Sequence, residues 1–176
     1  MILLTAINAK YIHSNLAIYC LKASTMEYGS RVQMAEYTIN HNTDHILAGI
    51  FERKPEVVAF SCYIWNISQV LYVAENLKKV MPEITIVMGG PEVSYNPVEL
   101  LTKHEFIDMI MVGEGEKTFS EYVNSLYGAG QKLDTINGLV YRSKGQIMMT
   151  PPRETMDLDE VPFPYPFVPD LENLRA

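Results

Sequence analysis

Short apolar runs alternate with stretches of helical spacing along most of the chain. Residues 1–7 are a continuous apolar run and read as a first strand. Leu16, Tyr19, Cys20 and Ala23 then fall at helical spacing, in a segment that Gly29 ends. Residues 31–39 alternate as a half-buried strand does, which suits a strand near a sheet edge. Thr43 or Asp44 is placed to cap a helix carrying Ile46, Leu47, Ile50 and Phe51, and Pro55 closes it. Residues 56–61 read as a central strand. Ile67, Val70, Leu71, Ala74 and Leu77 mark the next helix, which stops before Pro82. Ile84 to Met88 is a fourth strand, ending at Gly89-Gly90-Pro91. A short helix is predicted at about 97–104, a fifth strand at 107–112, and a last helix through Phe119, Tyr122, Val123 and Leu126.

Five strands alternating with helices predict an α/β fold, a parallel sheet covered on both faces. Right-handed crossovers leave few topologies. The flavodoxin-like strand order 2-1-3-4-5 fits best, because the second run has the edge-strand pattern. Residues 1–130 make up this domain. Residues 131–150 form an extension in which 137–142 and 146–149 flank Ser143-Lys144-Gly145, a hairpin signature. Six of the ten prolines then lie between Pro151 and Pro169. Residues 151–176 are therefore expected to be an extended linker, an arm meant for another surface, with the stable core ending near Thr150.

Composition narrows the function classes. A net charge of -7 and a pI near 5.1 argue against a general nucleic-acid binder, which needs a basic face. No apolar run approaches the roughly 20 residues that span a bilayer, so no membrane role is expected. The two cysteines, Cys20 and Cys62, make no disulfide framework, and a reducing cytoplasm is the default setting.

In an open parallel sheet, ligands bind beyond the carboxyl ends of the strands, where strand order reverses. Four loops of this chain meet there. Asn8, Lys10, Tyr11 and His13 lie on the first. Ser61, Cys62, Tyr63, Trp65 and Asn66 lie on the second. Gly89, Gly90, Pro91 and Glu92 form the third, and Gly113, Glu114, Gly115 and Glu116 the fourth. Glycines directly after a strand serve either as a tight turn or as a point of close ligand approach. Glu116 suits a helix start, where a carboxylate complements the macrodipole. The last loop is no phosphate loop, for it lacks the lysine-serine ending. Tyr11, Tyr63 and Trp65 either stack on a flat ligand or simply cover the sheet. Cys62 reads more naturally as a small buried residue than as a nucleophile.

These loops carry a resemblance. The run from Thr5 to Ala17, the run Ala59 to Asn66, the run Val87 to Val93 and the run Val112 to Glu116 resemble the N-terminal cobalamin (vitamin B12)-binding domains of radical S-adenosylmethionine (SAM) proteins. The group includes the anaerobic magnesium-protoporphyrin ester cyclase. Pro151-Pro152-Arg153 and Val161 to Tyr165 look like the link to the radical SAM barrel. The resemblance covers essentially the whole chain. It implies a Rossmann-like domain that holds cobalamin with the nucleotide tail beside the sheet. Ser61, Gly89 and Gly90 would border that tail, and Gly113 to Glu116 would close the other side.

The resemblance also implies a parent enzyme, methyltransferase or cyclase-like, acting on an unknown small-molecule substrate. Its 4Fe-4S cluster and S-adenosylmethionine would sit in a radical SAM domain of the same polypeptide. The well-known cobalamin motif Asp-x-His-x-x-Gly, which gives a histidine to cobalt, is absent, as it often is in radical SAM relatives: Asn8-Ala9-Lys10 occupies the start of that loop. His13, without its motif partners, is therefore not expected to ligate cobalt. The other readings are the same fold without cofactor, as an interaction or substrate-positioning domain, and a stand-alone flavodoxin-like or receiver-like module. The last is weak, since Asn8 and Ser61 stand where a receiver needs acids. Cys20 and Cys62 lie on separate elements, whereas clusters usually take three or four thiolates. Anaerobic reconstitution of this chain with iron and sulfide should therefore yield no stoichiometric cluster and no 5′-deoxyadenosine; finding both would overturn the assignment of that chemistry to another domain.

Overall fold

A computed structural model describes residues 1–10, 14–128, 130–157, 159 and 161–164. The strands are β1 (Ile2–Asn8), β2 (Val32–Thr38), β3 (Val57–Ser61), β4 (Thr85–Gly89), β5 (Met109–Met111), β6 (Leu139–Ser143) and β7 (Gln146–Met149). The helices are α1 (Leu16–Ala23), α2 (Thr43–Arg53), α3 (Ile67–Val80), α4 (Pro91–Ser94), α5 (Pro97–Lys103) and α6 (Glu116–Tyr127). The sheet order is β2-β1-β3-β4-β5-β6-β7. The first five strands are parallel in the order 2-1-3-4-5, with β2 at the edge as its alternation predicts.

The crossovers decide which face each helix covers. The connection from β1 to β2 runs one way along the sheet, and every later parallel connection runs the other way. With one handedness throughout, α1 must lie on the opposite face from α2, α3, α4 and α5. Packing follows that rule. Leu3, Ile7, Val58, Ile86 and Ile110 face Ile46 and Ile50 of α2, Val70 and Leu77 of α3, Val93 of α4 and Leu101 of α5. Leu4, Ala59, Val87 and Met111 point the other way, toward Ile18 of α1 and Phe119 and Val123 of α6. Among the described residues, two α-helices, α1 and α6, thus cover the second face of the parallel strands.

Several elements differ in detail from their sequence expectation. The predicted hairpin does not stand apart. β6 pairs antiparallel with β5, and β7 with β6, so the sheet has seven strands rather than five. Arg142 fixes this addition: its guanidinium donates to the carbonyls of Ile107, Leu101 and His104 at the end of α5. Asn42, not Thr43 or Asp44, caps α2, its side chain accepting from Asp44 N–H at 2.9 Å. β5 starts two residues late, because the Asp108 carboxylate takes Ile86 N–H at 2.7 Å and pairs with Lys78 at 2.9 Å. The single turn of α4 was too short to show a period.

The chain also stays attached beyond Thr150. Pro151 accepts from Gly138 N–H at 2.8 Å. The Arg153 side chain, only 9% exposed, donates to Thr118 Oγ1 at 2.7 Å, pairs with Glu121 and reaches the Asn137 carbonyl at 3.3 Å. Met156 N–H donates to the Glu114 carboxylate at 2.6 Å. Most of the aromatic, proline-rich arm from Pro162 to Pro169 lies outside the described residues. A largely buried charged donor with three partners contributes about 2 kcal/mol. Arg153→Met should lower unfolding stability by about that much and move the first proteinase K cut from beyond Met156 to the 150–156 segment. Unchanged stability and cleavage would show that the arm is held by something else.

Candidate functional site

Strand order reverses between β1 and β3, and the site is built around that gap. α1 leaves β1 on one face while α3 leaves β3 on the other, so the two strand ends part company. Asn66, fully buried, fills the space. Its Nδ2 donates to the carbonyls of Ile7 and Ser61, both at 3.0 Å, and its Oδ1 accepts from Tyr63 N–H at 2.8 Å. This one amide satisfies the strand-end carbonyls and fixes the loop after β3.

Beside it runs a slot of about 550 Å³, between the sheet and the pair α1 and α6. Its floor is Leu4, Ala59, Val87, Gly89 and Met111, one residue or two from each of four parallel strands. Ala17, Ile18 and Leu21 of α1 form one wall, Glu116 and Phe119 of α6 the other. The mouth is bordered by Ser61, Tyr63, Gly90, Pro91, Ser94, Tyr95, Gly113, Glu114 and Gly115. The two glycines at the end of β4, Gly89 within it and Gly90 after it, have different jobs. A Cβ at Gly89 would meet nothing nearer than Met111 at 3.8 Å, so its missing side chain is open slot. Gly90 has φ +111°, and a Cβ there would lie 2.5 Å from the Cys62 carbonyl oxygen. Gly90 is therefore a backbone requirement: it lets the β4 loop pass across the end of β3, where Cys62 N–H donates to Gly89 O at 2.7 Å.

Of the residues singled out from sequence, Ser61, Tyr63, Gly89, Gly90, Pro91, Gly113, Glu114 and Gly115 line this slot. Trp65 lies just outside it. Its ring stacks on Tyr63 with centroids 4.4 Å apart and an interplanar angle of 8°, and it is 47% exposed. With exposed Ile64 and Tyr95, this pair gives the rim an apolar top. Asn8, Lys10 and Glu92 do not line the slot. Asn8 is buried at the strand end and donates to Glu36, Lys10 is exposed on its loop, and Glu92 faces solvent. Tyr11 and His13 lie outside the described residues. Cys62 is fully buried, and that burial pushes its thiol up to about 12, which leaves no reactive thiolate at neutral pH.

Sequence reasoning did not find Ala17, Leu21, Ala59, Ser94, Tyr95 or Phe119. Ala59 carried a faint signal, a small residue amid Val57, Val58 and Phe60 in a central strand. The helix residues carried none, because a slot wall and a core contact have the same periodicity.

Residues 2–123 match the family model described as the B12 binding domain. The chain belongs to the B12-binding domain family. The TokK cobalamin-dependent radical SAM methyltransferase of Streptomyces tokunonensis is 31% identical over 118 residues, 66% of this chain and 17% of TokK. The anaerobic magnesium-protoporphyrin IX monomethyl ester cyclase of Synechocystis sp. is 34% identical over 84 residues, 47% of this chain and 17% of the cyclase. The chain thus spans about a sixth of the length of these relatives, in which its counterpart is part of a larger polypeptide. Among solved structures, the cobalamin-dependent SAM radical enzyme OxsB, with aqua-cobalamin and SAM bound, superposes with a TM-score of 0.71. It is 17% identical, and the match covers 91% of this chain and 23% of OxsB, a likeness of fold. The Rossmann-like assignment and the relationship to cobalamin-dependent radical SAM proteins therefore hold. Among the described residues, no helix is long and apolar enough to cross a membrane, and no group of three or more His, Cys, Asp and Glu side chains could hold a metal.

Proposed function

We propose that this domain holds cobalamin, with the nucleotide tail in the slot beside the sheet and the corrin ring over the carboxyl ends of the parallel strands. The single observation that carries the reading is the slot itself, in a chain of this family. Its floor is apolar, and Ala59 and Gly89 leave room between Leu4, Val87 and Met111. Such a floor accepts a flat neutral base. Among the described residues no basic side chain lines it, while Glu114 stands at its mouth and Glu116 in its α6 wall. That charge pattern disfavours a phosphate monoester and so a flavin mononucleotide.

When bound, cobalamin supplies a corrin-held cobalt that carries methyl groups or electrons. The residues of this chain would bind and orient it. Ser61 presents a hydroxyl at the slot edge that accepts from Asn15 Nδ2 at 3.3 Å and donates to Asn15 Oδ1 at 3.5 Å, a proton for which an acceptor on the tail would compete. Gly89 and Gly113 leave room for the tail to lie against backbone, and the Tyr63–Trp65 stack offers a flat apolar surface to the ring. No described side chain stands ready as a cobalt ligand from the first loop. The parent protein is proposed to be a radical SAM enzyme, methyltransferase or cyclase-like. Its cluster and S-adenosylmethionine would lie in a further domain, to which the segment after Met156 leads.

Hydroxocobalamin mixed with the chain and desalted should co-elute, with its absorption retained. Gly89→Leu fills the slot without straining the backbone. It should weaken binding at least about tenfold while the circular dichroism stays native. Native affinity in Gly89→Leu would contradict the placement. Failure of the wild-type chain to bind would contradict the function and favour the same fold acting as an interaction or substrate-positioning domain.

A further inference from the structure

A carboxylate outside the slot collects the elements that form its α1 wall. Glu36 lies on edge strand β2, two residues before its end, on the α1 face of the sheet and opposite Ala6 in the β1 register. Three donors converge on it. Asn8 Nδ2, at the end of β1, donates to Glu36 Oε1 at 2.8 Å. Asn15 N–H, at the start of α1, donates to the same oxygen at 2.8 Å. Tyr19 OH, one turn further along α1, donates to Glu36 Oε2. Burial, and then this carboxylate, push the Tyr19 phenol far up, so the hydroxyl keeps its proton. Among the described residues Glu36 has no ion-pair partner, and neutral donors hold it in place.

This arrangement clamps both stems of the β1–α1 loop to the edge strand. It also reaches the slot. Asn15, whose backbone is held by Glu36, presents its Nδ2 to Ser61 Oγ at 3.3 Å, and Ala17 and Ile18 follow in the slot wall. A structural carboxylate of the domain would be expected to pair with a cation or face solvent. This one is half-buried and spends its oxygens on one loop and one helix.

We infer that Glu36 is a positioning residue for the cofactor site: it sets the height of the β1–α1 loop and the seat of α1, and through Asn15 the orientation of Ser61. The ligand arm of this inference rests on the cobalamin reading; the loop arm does not. A glutamine keeps an acceptor for Asn8 and Asn15 and turns its amide toward the Tyr19 oxygen, so Glu36→Gln should preserve the clamp. Alanine removes it.

The test combines amide hydrogen exchange and hydroxocobalamin titration on the full chain, for wild type, Glu36→Ala and Glu36→Gln. In Glu36→Ala, exchange should speed at least about tenfold at the start of α1, across residues 15–19, while β3, β4 and α6 keep their protection. Hydroxocobalamin affinity should fall by about tenfold or more. Glu36→Gln should stay within about threefold of wild type in both. Unchanged exchange at 15–19 in Glu36→Ala would overturn the inference, as would loss of protection throughout the sheet, which would mark a merely structural role. Should Glu36→Ala not fold, a tenfold loss in Glu36→Gln with native exchange would equally contradict it. If the wild-type chain binds no cobalamin, the functional reading fails, and the exchange pattern alone decides the loop clamp.

Discussion

The reversal of strand order between β1 and β3 is the constraint on which the rest of this domain depends. A parallel sheet with right-handed crossovers must send α1 to one face and α2 to α5 to the other. The face with fewer helices is left with a gap, and the strand ends on either side of the reversal lose their neighbours. A buried asparagine closes the polar part of that gap. Asn66 binds the carbonyls of Ile7 and Ser61 in one fully buried amide, where either left alone would carry an unmet desolvation cost of about 1–3 kcal/mol.

What remains is the apolar part of the gap, and its chemistry follows from residue size. Had Ala59 and Gly89 been Val or Leu, as their neighbours are, α1 and α6 would pack on a filled floor. Small residues keep a slot open under the two helices. Gly90 serves this indirectly, since its positive φ and its approach to the Cys62 carbonyl let the β4 loop turn away over β3. Glu36 then holds the α1 wall from outside, and Glu114 takes Met156 N–H, so the segment up to Met156 runs alongside the mouth of the slot. Slot, wall and the 151–156 segment are thus built into one rim.

Much of this was legible in sequence, for definite reasons. Continuous apolar runs marked β1, β3 and β4 as strands buried on both faces, and the alternation of 31–39 marked β2 as the edge. Loops at strand ends hold the glycines and polar groups, so Ser61, Gly89 and Gly113 to Gly115 could be assigned to one rim before their geometry was known. Long-range partners were not legible. Nothing in the local pattern says that β6 and β7 join the sheet, since a hairpin reads the same alone or paired. Arg153 and Glu36 look like surface charges until the fold brings Thr118, Glu121 and Asn137 to one and Asn8, Asn15 and Tyr19 to the other. Asn8 was singled out as a site residue because it ends a strand, but its side chain is directed to Glu36 rather than into the slot.

A slot that receives a nucleotide tail must discriminate between corrinoids that have the tail and corrinoids that lack it. Equilibrium titration of the chain with hydroxocobalamin and with cobinamide, which has the same corrin ring without the nucleotide, measures that directly. Burying a neutral aromatic base against Ala59, Val87 and Phe119 predicts at least about tenfold tighter binding of cobalamin. Equal affinities for the two, or tighter binding of cobinamide, would contradict a tail-holding slot.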